Sequence, residues 1–192
     1  MGKRKGLLFV ISGPSGCGKT TLGEKILSGD KNLVRSVSVT TRPRRKGEKE
    51  GREYFFVSEK EFTRLREEDS FLEWAKIFGY FYGTPKEFVL KNINQGKDVI
   101  LIIDVQGARQ VRKKFPQAIS IFLTPPSLKT LQERLKKRRL DGPGEIEKRL
   151  QQAEKELRSQ REYDYIVMNK DLDKATELLS AIISLERIKF RR

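Results

Sequence analysis

The chain has 192 residues, 41 Lys and Arg against 26 Asp and Glu, and a formal net charge of +15. That length supports one hydrophobic core or one core with inserted lobes, and 36% hydrophobic residues is too many for a disordered chain. There is no histidine, so Ser-His, Cys-His and His-metal chemistries are excluded and any catalysis must run on Lys, Arg, Asp, Glu, hydroxyls and backbone. The single cysteine, Cys17, excludes an internal disulfide and a cysteine-based zinc cluster and fits a reducing cytoplasm. No apolar run approaches the ~18 residues of a membrane span. The segment MGKRKGLLFVIS shows no signal-peptide cleavage pattern, and Gly6 stands where a myristoylation pattern needs Ser or Thr, so a cytoplasmic protein without a membrane is expected.

In chain order, residues 7–11 (LLFVI) predict a buried strand, followed by a glycine-rich loop and a helix starting near Lys19. Residues 36–40 predict a short strand. Ser58 with Glu61 forms a capping box for a helix, and Thr84 with Glu87 reads as a second one, with Pro85 at the first helical position. Residues 99–103 (VILII), 119–123 (ISIFL) and 165–168 (YIVM) predict further strands. The continuous hydrophobicity of 7–11, 99–103 and 119–123 points to strands covered on both faces, as in a parallel sheet. Ser127 opens another helix. Residues 145–161 predict one with Ile146, Leu150, Ala153 and Leu157 on a single stripe, and Asp171 caps the last. Strands alternating with helices give an α/β fold. Two stretches, 37–84 and 134–149, break that rhythm and read as insertions on the core.

The loop Gly13-Pro14-Ser15-Gly16-Cys17-Gly18-Lys19-Thr20 matches GxxxxGK followed by Ser or Thr. Its glycines let successive N–H groups turn inward onto phosphate oxygens. The following helix adds its positive end, Lys19 places an ammonium on the β- and γ-phosphates, and Thr20 can ligate Mg²⁺. This predicts a nucleotide site. Asp104, at the end of a strand, is either an acid near magnesium or a cap for the turn at Gln106-Gly107-Ala108. Residues 38–45 (SVTTRPRR) set hydroxyls before closely spaced guanidiniums, which suit phosphate. Aromatics beside Glu73 make a plausible base pocket, although Tyr54 and Trp74 read equally well as core and Glu73 as a solvated helix residue.

Taken together, GPSGCGKTT, SVTTRPRRKGEKEGREYFFV, FLEWAKIFGYFYGTP, IDVQGA, IFLTPPS and EKRL resemble the guanylate kinase family over residues 7–186. The resemblance implies transfer of phosphate from ATP to GMP, and to dGMP, with Mg²⁺ as cofactor. It implies a P-loop three-layer fold with a parallel β-sheet core (residues 1–36, 85–133 and 150–192), an inserted NMP-binding lobe (37–84) and a small helical lid (134–149). The family's GMP-phosphate ligands fall on Arg42, Arg45 and Tyr54, with Tyr82 close by. Its guanine ligands fall on Ser38, Glu73, Thr84 and Asp104, and its lid arginines on Arg134, Arg138 and Arg149. Lys19, Arg42 and the lid arginines are then the catalytic cations. Gly13 to Thr20, Thr21 and Asn169 bind ATP, and Thr20 holds the metal, with Asp104 acting through water.

The residue chemistry fits this independently. A carboxylate accepts from guanine's N1–H and N2–H₂ while hydroxyls donate to O6, whereas adenine's N1 lone pair would face a desolvated carboxylate. The bland readings are a solvated basic face for the lid arginines and a helix cap for Thr84. Three positions depart from the family pattern: Ile102 replaces an acid, Arg139 a glycine and Lys170 an aspartate. Two rival functions are a non-catalytic guanylate-kinase-like module, which typically degrades the loop that is intact here, and a P-loop ATPase that uses its basic surface on nucleic acid.

The charge distribution argues against a nucleic-acid partner. Residues 42–53 hold six Lys and Arg against three acids, and 134–149 hold seven against three. The two ends, 1–5 and 187–192, add +7 with no acid and are expected to fray, which leaves the body at +1. The partners implied are two nucleotides, with no specific nucleic acid.

Overall fold

In this computed structural model the described residues are 4–137 and 142–190. The chain begins β1 (Leu8–Ser12), α1 (Lys19–Gly29), β2 (Leu33–Arg35), β3 (Val39–Thr40), β4 (Phe55–Phe56) and α2 (Glu59–Glu67). It continues through β5 (Phe71–Ile77), β6 (Tyr80–Pro85), α3 (Lys86–Asn94), β7 (Asp98–Ile102) and α4 (Val105–Lys114). It ends with β8 (Ile119–Thr124), α5 (Leu128–Lys137), α6 (Pro143–Leu157), β9 (Tyr165–Met168) and α7 (Leu172–Lys189). Five strands take the order β2-β7-β1-β8-β9 and four take the order β4-β3-β6-β5. The pairings β2–β7, β1–β8 and β8–β9 are parallel. β1, β7 and β8 are the predicted buried apolar runs, while β2 falls outside the predicted strands and β9 is partly exposed. By packing the chain divides into two compact units, residues 1–8, 32–101 and 106–118, and residues 9–31, 102–105 and 119–192.

In the first unit, the strand expected over 36–40 is divided between two partners. β2 pairs with β7, and its run ends where the Ser36 N–H bonds the Ile100 carbonyl at 3.2 Å. The Ser38 and Thr40 carbonyls then accept from Phe55 and Val57 N–H groups at 2.9 Å, so the next residues belong to the other sheet. That sheet buries one face on α2, where Phe62 stacks between Phe71 (4.6 Å) and Phe81 (5.3 Å). Aromatic side chains of this size carry most of the burial in so small a layer. The expected cap of α2 is present, with Ser58 Oγ accepting from the Glu61 N–H at 3.1 Å.

In the second unit, every residue of β1 is buried and the loop 13–18 runs from it into α1. α5 and α6 pack through Leu131, Leu135, Ile146 and Ala153, with Leu150 beside them. Ile146, Leu150 and Ala153 are three of the four residues of the predicted stripe; Leu157 is outside this cluster. The helix expected to reach residue 161 stops at Leu157 and continues as a 3-10 segment, Arg158–Glu162. Asp171 caps α7 by accepting from the Asp173 and Lys174 N–H groups at 3.0 Å.

The expectation of frayed ends is corrected where the end residues are described. Arg4 Nη2 pairs with Asp98 Oδ1 at 2.9 Å, and that carboxylate is 0% exposed. Arg187 pairs with Asp30 at 2.7 Å.

Candidate active site

Backbone geometry requires glycine along the loop. Gly13 has φ 139°, and a Cβ there would sit 2.2 Å from the Leu123 carbonyl oxygen. Gly18, the residue before α1, has φ 98°, and its Cβ would meet Asn169 Nδ2 at 2.4 Å. α1 starts with no side-chain cap and no acid in its first turn, so its N–H groups and dipole face the loop without a protein anion. Thr20 and Thr21 are exposed at that end.

Cations converge on this loop from several elements of the second unit. Lys19 Nζ donates to the Gly13 (2.6 Å) and Pro14 (2.9 Å) carbonyls, and Arg149 from α6 donates to Ser15 Oγ at 3.0 Å. Arg134 from α5 donates to the Asn169 carbonyl at 2.8 Å and to the Cys17 carbonyl at 3.4 Å. The buried Asn169 amide donates to the same Cys17 carbonyl at 2.8 Å, so it braces the loop from behind. A solvated basic face would not place Arg134 and Arg149 on loop atoms. Arg138 and Arg139 lie outside the described residues. Burial raises the pKa of the Cys17 thiol despite the opposing field of Lys19.

Sequence reasoning missed one acid here. Glu156, two turns beyond Arg149 on α6, accepts from Gln152 at 3.0 Å and lies in the field of Lys19 and Asp104. Burial raises its pKa, Gln152 and Lys19 oppose this, and Asp104 adds to it. The signal was available, because residues 149, 152 and 156 share one helix face. The three departures divide. Ile102 packs its Cδ1 where a Cβ on Gly23 of α1 would lie, 2.3 Å away, so that position serves packing against α1. Lys170 lines an open cleft of about 430 Å³ with Met168, Asp171, Lys174, Ala175 and Leu178.

A second cluster lies within the first unit. Glu73 is on β5, a strand rather than the solvated helix that the single residue suggested, and it is 3% exposed. Thr84 is directly across on β6, 0% exposed, and donates its hydroxyl to Glu73 Oε1 at 2.6 Å. The capping reading of Thr84 is thereby corrected: α3 starts after Pro85 with no side-chain cap, because β6 pairing holds Thr84 in the sheet and its hydroxyl is already spent. A hydroxyl has one proton to give, so in this arrangement Thr84 orients Glu73.

Arg42, 8% exposed, donates to Glu48 Oε1 at 2.6 Å and to the Pro43 carbonyl at 2.8 Å. Its guanidinium lies 5.4 Å from the Tyr54 ring centroid, and the Tyr54 and Tyr82 rings are 5.7 Å apart. Burial works against the charge on Arg42, and Glu48 more than offsets it, so its pKa is raised. Glu48 is itself held below the usual carboxylate range; burial pushes it up, and the Arg42 guanidinium and the Arg45 N–H bring it down. Burial chiefly, then the Tyr82 neighbour, raises Tyr54. Arg45 is exposed and contributes its backbone N–H to Glu48 Oε2 at 2.8 Å. Ser38, half-buried, leads into β3 beside Tyr54 and Phe55.

A parallel sheet whose first strand enters a glycine loop tipped by Lys19, ahead of an uncapped helix, defines a P-loop nucleotide-binding α/β protein. A family model described as guanylate kinase matches residues 5–186. The guanylate kinase of Caldanaerobacter subterraneus subsp. tengcongensis is 50% identical over 190 residues, which is 99% of this chain and 92% of that protein. The guanylate kinase of Thermotoga maritima is 47% identical, covering 98% and 91%. The crystal structure of guanylate kinase from Anaplasma phagocytophilum superimposes with TM-score 0.81 at 36% identity, covering 97% of this chain and 88% of that one. The chain belongs to the guanylate kinase family.

Proposed function

We propose that the two clusters divide the substrates of the family's reaction, ATP-dependent phosphorylation of GMP to GDP, with the loop taking ATP and the Glu73–Arg42 region taking GMP. The observation that carries the reading is the buried Thr84–Glu73 pair, a desolvated carboxylate that accepts from the Thr84 hydroxyl in a nucleotide-binding fold. Its chemistry suits a base edge with two adjacent donors, which guanine has and adenine lacks.

On this reading Gly13, Pro14, Ser15, Gly16, Cys17, Gly18, Lys19, Thr20 and Thr21 cradle the ATP phosphates, with Asn169 supporting the loop. Arg42, Arg45, Tyr54 and Tyr82 hold the GMP phosphate. Ser38, Glu73 and Asp104 read the base, with Thr84 contributing by holding the Glu73 carboxylate, and dGMP shares both recognition elements. Arg134, Arg138 and Arg149 neutralise the transferring group with Lys19.

Among the described residues there is no group of three His, Cys, Asp or Glu that could cage a metal. On the family's pattern the donor set would be the Thr20 hydroxyl with Asp104 through water, which would suit a Mg²⁺ ion that keeps waters and takes most of its ligands from phosphate. When bound, the ion neutralises charge on the β- and γ-phosphates.

The chain's own work is positioning and charge neutralisation. A phosphate monoester with a second pKa of about 6 is largely dianionic at neutral pH, so the attacking oxygen of GMP needs no general base. Its bond to the γ-phosphorus forms as the bond from that phosphorus to the β–γ bridging oxygen breaks, giving ADP and GDP. The absence of histidine is no handicap in this chemistry. A reducing cytoplasmic setting fits the lone buried thiol, and no helix among the described residues is long and apolar enough to cross a membrane.

The test is coupled ADP release with MgATP and GMP, dGMP, AMP, CMP or UMP in turn. GMP and dGMP are expected to be the good acceptors. Strong turnover with AMP and none with GMP overturns the reading.

A further inference from the structure

β5, which carries Glu73, is an edge strand that pairs only with β6. Its register against β6 runs unbroken from Ile77 to Glu73 and breaks between Glu73 and Phe71, so the regular ladder ends at the carboxylate and the peptide before it is held less well by β6. The open edge of β5 is filled by side chains of α4 instead of a fifth strand. Gln110 accepts from the Trp74 N–H through Oε1 at 3.3 Å and donates from Nε2 to the Trp74 carbonyl at 2.5 Å, so one amide reproduces the donor and acceptor of a neighbouring strand. Four residues on, and so on the same helix face, Lys114 Nζ donates to the Leu72 carbonyl at 2.9 Å, at the irregular position. Val111, between them in sequence, is 0% exposed and anchors the helix. The peptide groups on both sides of Glu73 are thus held from α4, while Thr84 holds its carboxylate.

We propose that Gln110, assisted by Lys114, is a positioning residue for base selection: its amide fixes the β5 backbone so that the Glu73 carboxylate meets both donors of a guanine edge. This rests on the reading of Glu73 as the base-recognising acid. Misplacement by a fraction of a hydrogen-bond length weakens the two-donor contact more than a one-donor contact, so selection suffers before catalysis does.

The probe is a pair of acceptors, GMP and IMP, which share O6 and N1–H and differ in the 2-amino group. Gln110→Met keeps the volume and removes both bonds to Trp74. The expected result is a fall of at least about fivefold in the kcat/KM preference for GMP over IMP, carried by the KM for GMP. KM for ATP and kcat are expected to stay within about twofold, because the loop and its cations are untouched. An unchanged preference overturns the proposal. So does a parallel decline of GMP, IMP and ATP parameters together with the melting temperature, which is what a merely structural role gives. Glu73→Gln runs alongside. If it loses the preference and Gln110→Met does not, only the positioning role fails; if neither loses it, the base reading fails with it. Should Gln110→Met not fold, Lys114→Met on the exposed end of the same face carries the test, with the same sign and a smaller size.

Discussion

The Thr84–Glu73 contact allows a worked perturbation. Thr84→Val keeps the shape and the β-branching, so it opens no cavity, and it deletes the hydroxyl that donates to Glu73 at 2.6 Å. That distance is in the range of hydroxyl bonds to carboxylate, and a bond to a buried charged group is worth about 1.5–3 kcal/mol. Both partners are almost fully buried, at 0% and 3% exposure, so water does not restore the loss in the free protein. For a domain of this size each kcal/mol lowers Tm by about 2–4 °C, so the expected drop is about 3–12 °C by thermal unfolding at neutral pH. In a Glu73→Gln background the same change removes a bond between neutral groups, and its cost is expected to shrink to about 1 kcal/mol. A Tm within 1 °C of the parent, or an equal penalty in both backgrounds, would falsify the account of Thr84 as the residue that holds the acid.

Other expectations follow from the loop. Lys19→Ala removes the ammonium now resting on the Gly13 and Pro14 carbonyls. Turnover is expected to fall at least about 100-fold while GMP affinity by calorimetry stays within about twofold; loss of both alike would place Lys19 elsewhere in the reaction. Burial pushes the Cys17 thiol up and leaves it 0% exposed. An aromatic disulfide reagent at pH 8 is expected to leave the folded protein unmodified until denaturant is added. Full modification within the mixing time contradicts this.

The core of the fold was legible because its strands are buried on both faces, and continuous apolar runs such as 99–103 have few other readings. The antiparallel sheet was not, because β3 and β4 are two residues each and owe their existence to carbonyls at Ser38 and Thr40 finding partners far along the chain. Single-residue priors failed at Glu73 and Thr84 for one shared reason. Each looked local, an exposed acid and a helix cap, while a cross-strand partner eleven residues away decided both. Glu48 escaped notice because an acid among so many charges carries no mark in the sequence, and Glu156 because its helix-face spacing from Arg149 gains meaning only with burial in the field of Lys19. Ile102 reads in the sequence as a missing acid, and its meaning came from Gly23, which leaves the room that the isoleucine fills.

Two of the end arginines, Arg4 and Arg187, have structural roles. Asp98 accepts from Arg4 Nη2, from the Leu7 N–H at 2.8 Å and from Asn32 Nδ2 at 3.3 Å, which ties residues 4–7 to the start of β7 inside the first unit. Removing one partner of a buried pair costs about 3–5 kcal/mol, because the remaining charge is stranded. Arg187 with Asp30 joins α7 to the end of α1 in the second unit, with both partners mostly buried. By contrast Arg64 with Glu61 and Glu68 at α2 is a solvated network that weakens with salt. A basic end that binds a polyanion would need its guanidiniums turned to solvent. Arg4 and Arg187 are instead committed to acids of the same fold.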